Sequence, residues 1–248
     1  MIKLYGLIGN PLTHSFSEEY FNRKFKSENL SCQYQLFPIK EVAEFLKLIS
    51  NHPNLAGLNV TLPYKKQVLN YMDSLSTEAK NAGAVNCIRI ERNKGGSNLI
   101  GYNTDIFGFE QSIKPYLKPS HKKALIMGTG GSSTAVALVL KSLGIEYLFV
   151  SRQPKLLGQI AYGDFTRKLI KEYPIIINAT PVGMFPGNGK FPEIPYDYLT
   201  PDHLVYDLIY NPAETMFLKK SKEKGAVTVN GLNMLYLQAD KSWEIWQR

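Results

Sequence analysis

The chain of 248 residues has two cysteines, four histidines and no long apolar run. Cys32 and Cys87 lie far apart in no pairing pattern. That excludes a disulfide framework and points to a reduced, cytoplasmic setting. His14, His52, His121 and His203 show no ligand spacing, so no metal site is expected. Nothing approaches the ~18 consecutive apolar residues of a membrane span. The opening "MIKLYGLIGNPLTHS" lacks the apolar stretch and small-residue cleavage site of a secretory signal. There is no internal repeat and no low-complexity tract. Acidic residues are in deficit, 21 against 29 Lys and Arg, for a net charge of +8. The basic residues are scattered and form no nucleic-acid motif, so small anions, phosphates included, are the expected partners.

What is present is an alternation of short apolar strands and amphipathic helices. "IKLYGLIG" reads as a strand. "SEEYFNRKFKSENL" reads as a helix with Ser17 as a plausible N-cap. "CQYQLFPI" alternates like a strand. "KEVAEFLKLISNH" reads as a helix with Val42, Phe45, Leu46 and Ile49 on one face. "LAGLNVTL" is a buried strand, and "PYKKQVLNYM" starts a helix with Pro at its entrance. "AVNCIRIER" and "SNLIGYNTD" flank the turn "NKGG" as a hairpin. A connecting helix, "IFGFEQSIKPYL", leads to the strand "HKKALIMG". The later strands "IEYLFVSR", "YPIIINATPVGM" and "HLVYDLIYNP" read as buried parallel strands, and "LNMLYLQADKSWEIWQR" as a final helix.

"MGTGGSSTAVALVL", from Met127 to Leu140, joins a strand to a helix through a glycine turn. Gly128 suits the tight turn, Gly130 lets backbone approach a pyrophosphate, and the helix N–H groups face the anion. The third position of the G-x-G-x-x-G pattern is Ser133, with Gly131 adding freedom. A turn that merely packs is the alternative. At the end of the next strand, where NAD sites place an acid, the chain reads "FVSRQPK". Ser151 and Arg152, with Lys155 nearby, suit a 2′-phosphate, so NADP is expected.

Four polar clusters mark the first half. In "THSFS", Ser15 and Ser17 place hydroxyls beside helix N–H groups, an arrangement that suits a carboxylate; a simple cap is the bland reading. In "NVTLPYKK", Asn59 and Thr61 project from one face of a strand. Lys65 falls at a helix entrance, where a cation opposes the dipole and invites a catalytic reason; Lys66 reads as solvated. Asn86 stands in "NAGAVNCI", and Asp105 in "GYNTDIFGF". Each alone is explained by a turn or a cap. Together they suit a small, highly hydroxylated acid.

With these motifs the chain resembles the shikimate dehydrogenases. The resemblance covers nearly the whole length, in order, through "GNPLTHSFS", "NVTLPYKK", "AGAVN", "GYNTD", "GTGGSS", "NATPVGM" and "NGLNMLYLQA". It implies reduction of 3-dehydroshikimate to shikimate with NADPH, a step toward the aromatic amino acids. The implied fold class is α/β: a substrate-binding α/β domain of residues 1–104 with 232–248, and a Rossmann-like, doubly wound NADP-binding domain of residues 105–231. The C-terminal helix would return to the first domain. By the same resemblance Ser15 and Ser17 would bind the substrate carboxylate. Asn59, Thr61, Asn86 and Gln238 would bond its ring hydroxyls, and Lys65 and Asp105 match the catalytic pair. Gly128, Gly130, Gly131 and Ser132 would hold the pyrophosphate, and Ser151 and Arg152 the 2′-phosphate. Thr180, Val182, Gly231 and Met234 would line the nicotinamide region, with Tyr210 between nicotinamide and substrate. Monomer and homodimer both stay open.

Three departures from the family pattern stand out. Glu18 replaces the Pro that often follows the second Ser. The helix that usually follows the 2′-phosphate loop is largely missing between Arg152 and Tyr173. The chain also stops soon after "WEIWQ". Two other readings stay open on sequence alone: a quinate/shikimate dehydrogenase, often using NAD, and an NADP-responsive binding module without turnover.

Overall fold

A computed structural model describes residues 2–12, 15–94, 96–187 and 189–248. Thr13 and His14 of the "THSFS" motif lie outside these. The chain divides into two compact units, residues 1–104 with 239–248, and residues 105–238.

The first unit is built on a six-stranded mixed sheet. In chain order its elements are β1 (Lys3–Gly9), α1 (Phe16–Ser27), β2 (Cys32–Pro38), α2 (Glu44–Asn51), β3 (Leu55–Val60), β4 (Ser74–Leu75), α3 (Thr77–Ala82), β5 (Cys87–Asn93) and β6 (Gly96–Tyr102). The sheet order is β2-β1-β3-β5-β6-β4. β1 runs parallel to β2 and β3, and β5 runs antiparallel to β3 and β6. One core gathers Ile8, Phe45, Leu58, Val68 and Ile88. A second, aromatic core packs Tyr5, Phe21, Phe25 and Tyr34 against Trp246. Gly57 is required by that second core, because a Cβ there would meet the Trp246 indole at 2.3 Å.

The second unit carries α4 (Thr104–Ile113), β7 (Lys123–Met127), α5 (Gly131–Ser142), β8 (Glu146–Ser151), β9 (Gln159–Ala161), α6 (Arg167–Glu172), β10 (Ile175–Asn178), β11 (Leu204–Asp207), α7 (Met216–Lys222) and β12 (Val227–Val229). The final helix α8 (Leu232–Trp246) starts in this unit and ends in the first. The sheet order is β12-β11-β10-β7-β8-β9, parallel throughout. This is the order of a dinucleotide-binding sheet, and it reverses direction between β7 and β10. Buried Ile, Leu and Val on both faces follow from helices covering such a sheet. The α/β class with a Rossmann-like second sheet is therefore the observed fold.

Several local expectations are corrected. The N-cap of α1 is Ser15, not Ser17: Ser15 is extended and its Oγ accepts the Ser17 N–H at 3.2 Å. α2 begins only at Glu44, whose carboxylate accepts the Lys40 and Glu41 N–H groups. Its inward face is Phe45, Leu48 and Ile49, while Leu46 is exposed. No α-helix follows Pro63. The chain turns through residues 62–66 into a five-residue 3₁₀ helix, Gln67–Tyr71, because Tyr64 is buried and its hydroxyl is tied to the Ile39 carbonyl at 2.7 Å. Lys65 thus faces no α-helix dipole. α3 is a helix the hydrophobic pattern does not announce; Ser76 caps it and Gly83, at φ 56°, closes it.

Between Arg152 and Tyr173 the only α-helix among the described residues is the six-residue α6 (Arg167–Glu172), and none lies between β8 and β9. β8 and β9 pair in parallel across residues 152–158 alone, where such a crossover ordinarily takes a dozen or more residues and often a helix. Gly158 at φ 80° makes the return, and Leu156 and Leu157 stand exposed at the bend.

Candidate active site

The topology of the first unit brings the four polar clusters to one end of its sheet. β1 and β3 are parallel neighbours, so the loops after Gly9 and Val60 lie side by side. β5 starts where β3 ends, with Cys87 opposite Asn59. β6 ends where β5 starts, with Tyr102 opposite Cys87. Ser15 and Ser17, Thr61 and Lys65, Asn86, and Asn103–Thr104 therefore share that end. Gly9 makes the close approach possible, since a Cβ there would meet Thr61 Cγ2 at 2.4 Å.

A buried polar network ties these segments together. The Tyr34 hydroxyl, standing beside Ser17, donates to Asn59 Oδ1 at 2.9 Å. Asn59 Nδ2 donates to the Asn86 carbonyl at 3.2 Å and to Ser242 Oγ at 2.9 Å. Asn86 Oδ1 accepts the Thr104 N–H at 2.7 Å and the Thr104 hydroxyl at 3.2 Å. Asn103 Nδ2 donates to the Ala84 carbonyl at 3.0 Å. Burial holds the Tyr34 phenol well above its ordinary pKa, so it stays a donor. Asn59 is buried, and its amide is bonded to three protein groups. Tyr34 and Ser242 escaped the sequence reading because nothing local marks them. The Lys65 carbonyl accepts the Val85 N–H at 2.7 Å, which draws the lysine beside the Asn86 segment. Lys65 is half-buried and Lys66 exposed.

In the second unit the expected residues follow the carboxyl ends of the parallel strands, the edge where open α/β sheets bind ligands. After β7, Gly128 sits at φ 107°, and a Cβ there would meet Thr180 Cγ2 at 3.0 Å and the Ala179 carbonyl at 3.2 Å. Gly130 is the N-cap of α5, and a Cβ on it would enter open space. Gly131 and Ser132 form the first turn, whose N–H groups have no helical acceptors of their own. The Ser133 hydroxyl is buried without a hydrogen-bond partner.

Ser151 ends β8, and its Oγ accepts the Gln153 N–H at 3.2 Å. Arg152 is exposed beside it; burial raises the pKa of the nearby Tyr162 phenol, and the Arg152 charge opposes that rise only in part. Thr180 and Val182 belong to the loop after β10. Tyr210 is exposed after β11. Gly231, after β12, presses on the Leu208 carbonyl, which a Cβ would meet at 2.1 Å. Met234 is buried in the core of the unit. Gln238 packs on Gly108 of α4, three residues from Asp105 and so on the same helix face. Asp105 itself is buried in the first turn of α4, where free N–H groups favour a carboxylate.

These residues fit a dinucleotide phosphate. The turn after β7 offers free N–H groups and a gap that a single Cβ would fill, and the end of β8 offers a cation and a hydroxyl. Among the described residues no group of three or more His, Cys, Asp or Glu side chains gathers as a metal site, and no helix is long and apolar enough to cross a membrane.

Comparison with known proteins gives concordant matches. Residues 7–88 match the shikimate dehydrogenase substrate binding domain family. The chain is 39% identical to the shikimate dehydrogenase (NADP(+)) of Carboxydothermus hydrogenoformans, over 98% of this chain and 91% of that protein. It superposes on the shikimate 5-dehydrogenase of Thermus thermophilus in complex with NADP(H) and shikimate with a TM-score of 0.85, at 29% identity, covering 98% of this chain and 93% of that one. The Listeria monocytogenes shikimate 5-dehydrogenase, in complex with shikimate and NAD, gives a TM-score of 0.86 at 31% identity, over 99% of this chain and 91% of that one.

Proposed function

The chain belongs to the shikimate dehydrogenase family, and from that premise we propose that it interconverts 3-dehydroshikimate and shikimate with NADP(H), as an oxidoreductase of the shikimate pathway. The observation that carries this reading is the gathering of Ser15, Ser17, Thr61, Lys65 and Asn86 at one end of the first sheet, in a chain whose second sheet has the dinucleotide-binding order.

The substrate carboxylate is held by the hydroxyls of Ser15 and Ser17. Thr61, Asn86 and Gln238 bond its ring hydroxyls, and Asn59 supports them from beneath by holding the Asn86 backbone. Lys65 stands at the C3 oxygen. During reduction negative charge grows there, and a lysine ammonium both stabilises that charge and delivers the proton that completes the alcohol. In the reverse direction neutral lysine takes that proton back. Asp105 orients the amine. The pyrophosphate is held by the N–H groups after Gly128 through Ser132, with Gly130 leaving the approach clear. Arg152 and Ser151 take the 2′-phosphate, which makes NADP the preferred cofactor. Thr180, Val182, Gly231 and Met234 shape the nicotinamide end, with Tyr210 beside it. NADPH, when bound, supplies the hydride.

Cytoplasmic residence accords with the cysteines. Cys32 on β2 and Cys87 on β5 are free and separated by two strands, about 14 Å at the usual strand spacing and too far to pair. Burial pushes the Cys87 thiol up to about 12.

The test is the appearance of NADPH absorbance with purified protein, shikimate and NADP⁺, run beside quinate with NAD⁺. Turnover of shikimate with NADP⁺ is expected. A folded protein that binds NADP⁺ and turns over neither pair defeats the reading in favour of a binding module.

A further inference from the structure

β10 ends at Asn178 and β11 at Asp207, and the two residues are direct partners in the parallel register. Asp207 is buried at 0% exposure. Its Oδ1 accepts Asn178 Nδ2 at 3.0 Å and the Ile209 N–H at 3.1 Å. Its Oδ2 accepts the Thr215 hydroxyl at 2.6 Å. Asn178 continues the chain. Its Nδ2 also donates to the Val182 carbonyl at 3.2 Å, and its Oδ1 accepts the Thr180 N–H at 3.1 Å and the Thr180 hydroxyl at 2.6 Å. The Val182 N–H closes the set on Thr180 Oγ1 at 3.2 Å.

An amide can be placed either way round. A carboxylate accepts only, so Asp207 forces the Asn178 amino group toward itself and the Asn178 carbonyl toward Thr180. With NADP(H) as cofactor, the reading on which this step rests, we propose that Asp207 is a positioning residue: through Asn178 it fixes the loop from Ala179 to Gly183 that receives the nicotinamide end.

The surroundings show what this costs. Burial pushes the Asp207 carboxyl up to about 6, against the opposing pull of its hydrogen bonds to Thr215, Ile209 and Asn178. The other titratable groups that sense its charge are the hydroxyls of Tyr196 and Tyr206, both held neutral by burial. Among the described residues no lysine or arginine pairs with it. A buried carboxylate without a cation lowers stability at neutral pH, so its retention at the base of this loop is best understood through what it orients.

The experiment uses the full chain and measures the NADP⁺ dissociation constant by calorimetry without substrate, together with shikimate binding. Asp207→Ala is expected to weaken NADP⁺ by at least about tenfold and leave shikimate within about twofold. Asp207→Asn is expected to stay within about threefold of wild type for NADP⁺, because its amide oxygen still accepts from Asn178 and its amino group can donate to Thr215. Should Asp207→Ala fail to fold, Asn178→Asp carries the test. It places two carboxyl groups together, which share a proton at low pH and repel when both ionise. Relative to wild type at the same pH, its NADP⁺ affinity should be near normal at about pH 5.5 and at least about tenfold weaker at about pH 8.5. A folded Asp207→Ala chain that binds NADP⁺ as wild type does overturns the positioning role alone, as does a pH-independent ratio for Asn178→Asp. A wild-type chain that binds no NADP⁺ overturns the cofactor reading itself, and this role falls with it.

Discussion

The two units build their sites in opposite ways. The first relies on side chains: Tyr34, Asn59, Asn86, Thr104 and Ser242 form one buried hydrogen-bonded set, beside the residues proposed to bind the substrate. The second relies on backbone: Gly128, Gly130 and Gly231 sit where an added Cβ would strike a neighbour or fill an approach. A polyol acid offers hydroxyls that need donors and acceptors in fixed places, which side chains supply. A pyrophosphate needs many weak donors at short range, which bare N–H groups supply best. The first site is therefore broken by removing atoms, and the glycine turn of the second by adding them.

The largest effect expected from removal is at the reacting atom. Lys65→Ala should lower kcat by about 10³-fold while KM for shikimate changes little; a variant retaining most of its kcat removes Lys65 from proton transfer. Asn59→Ala removes one hydrogen-bond partner each from Tyr34, the Asn86 carbonyl and Ser242 in a dry interior. A loss on the order of 2–4 kcal/mol in urea unfolding is expected, together with a raised KM for shikimate and an unaltered affinity for NADP⁺. If stability is unchanged, the network does not frame the first site.

In the second unit Arg152 is the side chain proposed to read the 2′-phosphate. Arg152→Ala should lower kcat/KM for NADP by roughly 10- to 100-fold, the scale of a charge-assisted bond, and leave NAD unaffected; equal losses with both cofactors would show that Arg152 does not read the 2′-phosphate. The smallest effect sharpens the contrast from the other side. Ser133→Ala removes a buried hydroxyl that has no partner, so the chain should gain up to about 1 kcal/mol with its NADP affinity intact. A clear loss of stability would mean that the hydroxyl is bonded after all.

Much of this was legible in the sequence, and the exceptions have physical causes. The parallel strands of the second unit announce themselves because both faces are buried and their residues are apolar throughout. The hairpin of β5 and β6 is visible in its turn. Glycine positions also read well, since few other residues tolerate φ 107° or a carbonyl 2.1 Å from a would-be Cβ. The partners of Asn59 are not legible in the sequence because they are distant: Tyr34 is 25 residues away and Ser242 is 183. Spacing on a strand shows which face a residue takes, not what already occupies that face. The Ser15 cap was missed because two serines two residues apart offer the same hydroxyl. Leu46 was placed inward because the pattern was extended back to Val42, whereas the Glu44 carboxylate starts the helix later. The 3₁₀ turn before Tyr71 follows from a tertiary bond between Tyr64 and Ile39 that local pattern cannot show.

The most direct test of the contrast is calorimetric titration of Gly130→Val with NADP⁺ and with shikimate. Gly130 has ordinary extended geometry and open space around it, so the fold should lose no more than about 1 kcal/mol from the poorer cap. The predicted result is NADP⁺ affinity lowered by at least about tenfold with shikimate binding unchanged. Wild-type affinity for NADP⁺ in a folded Gly130→Val chain would contradict the account, because the turn after β7 would then not be where the phosphates sit.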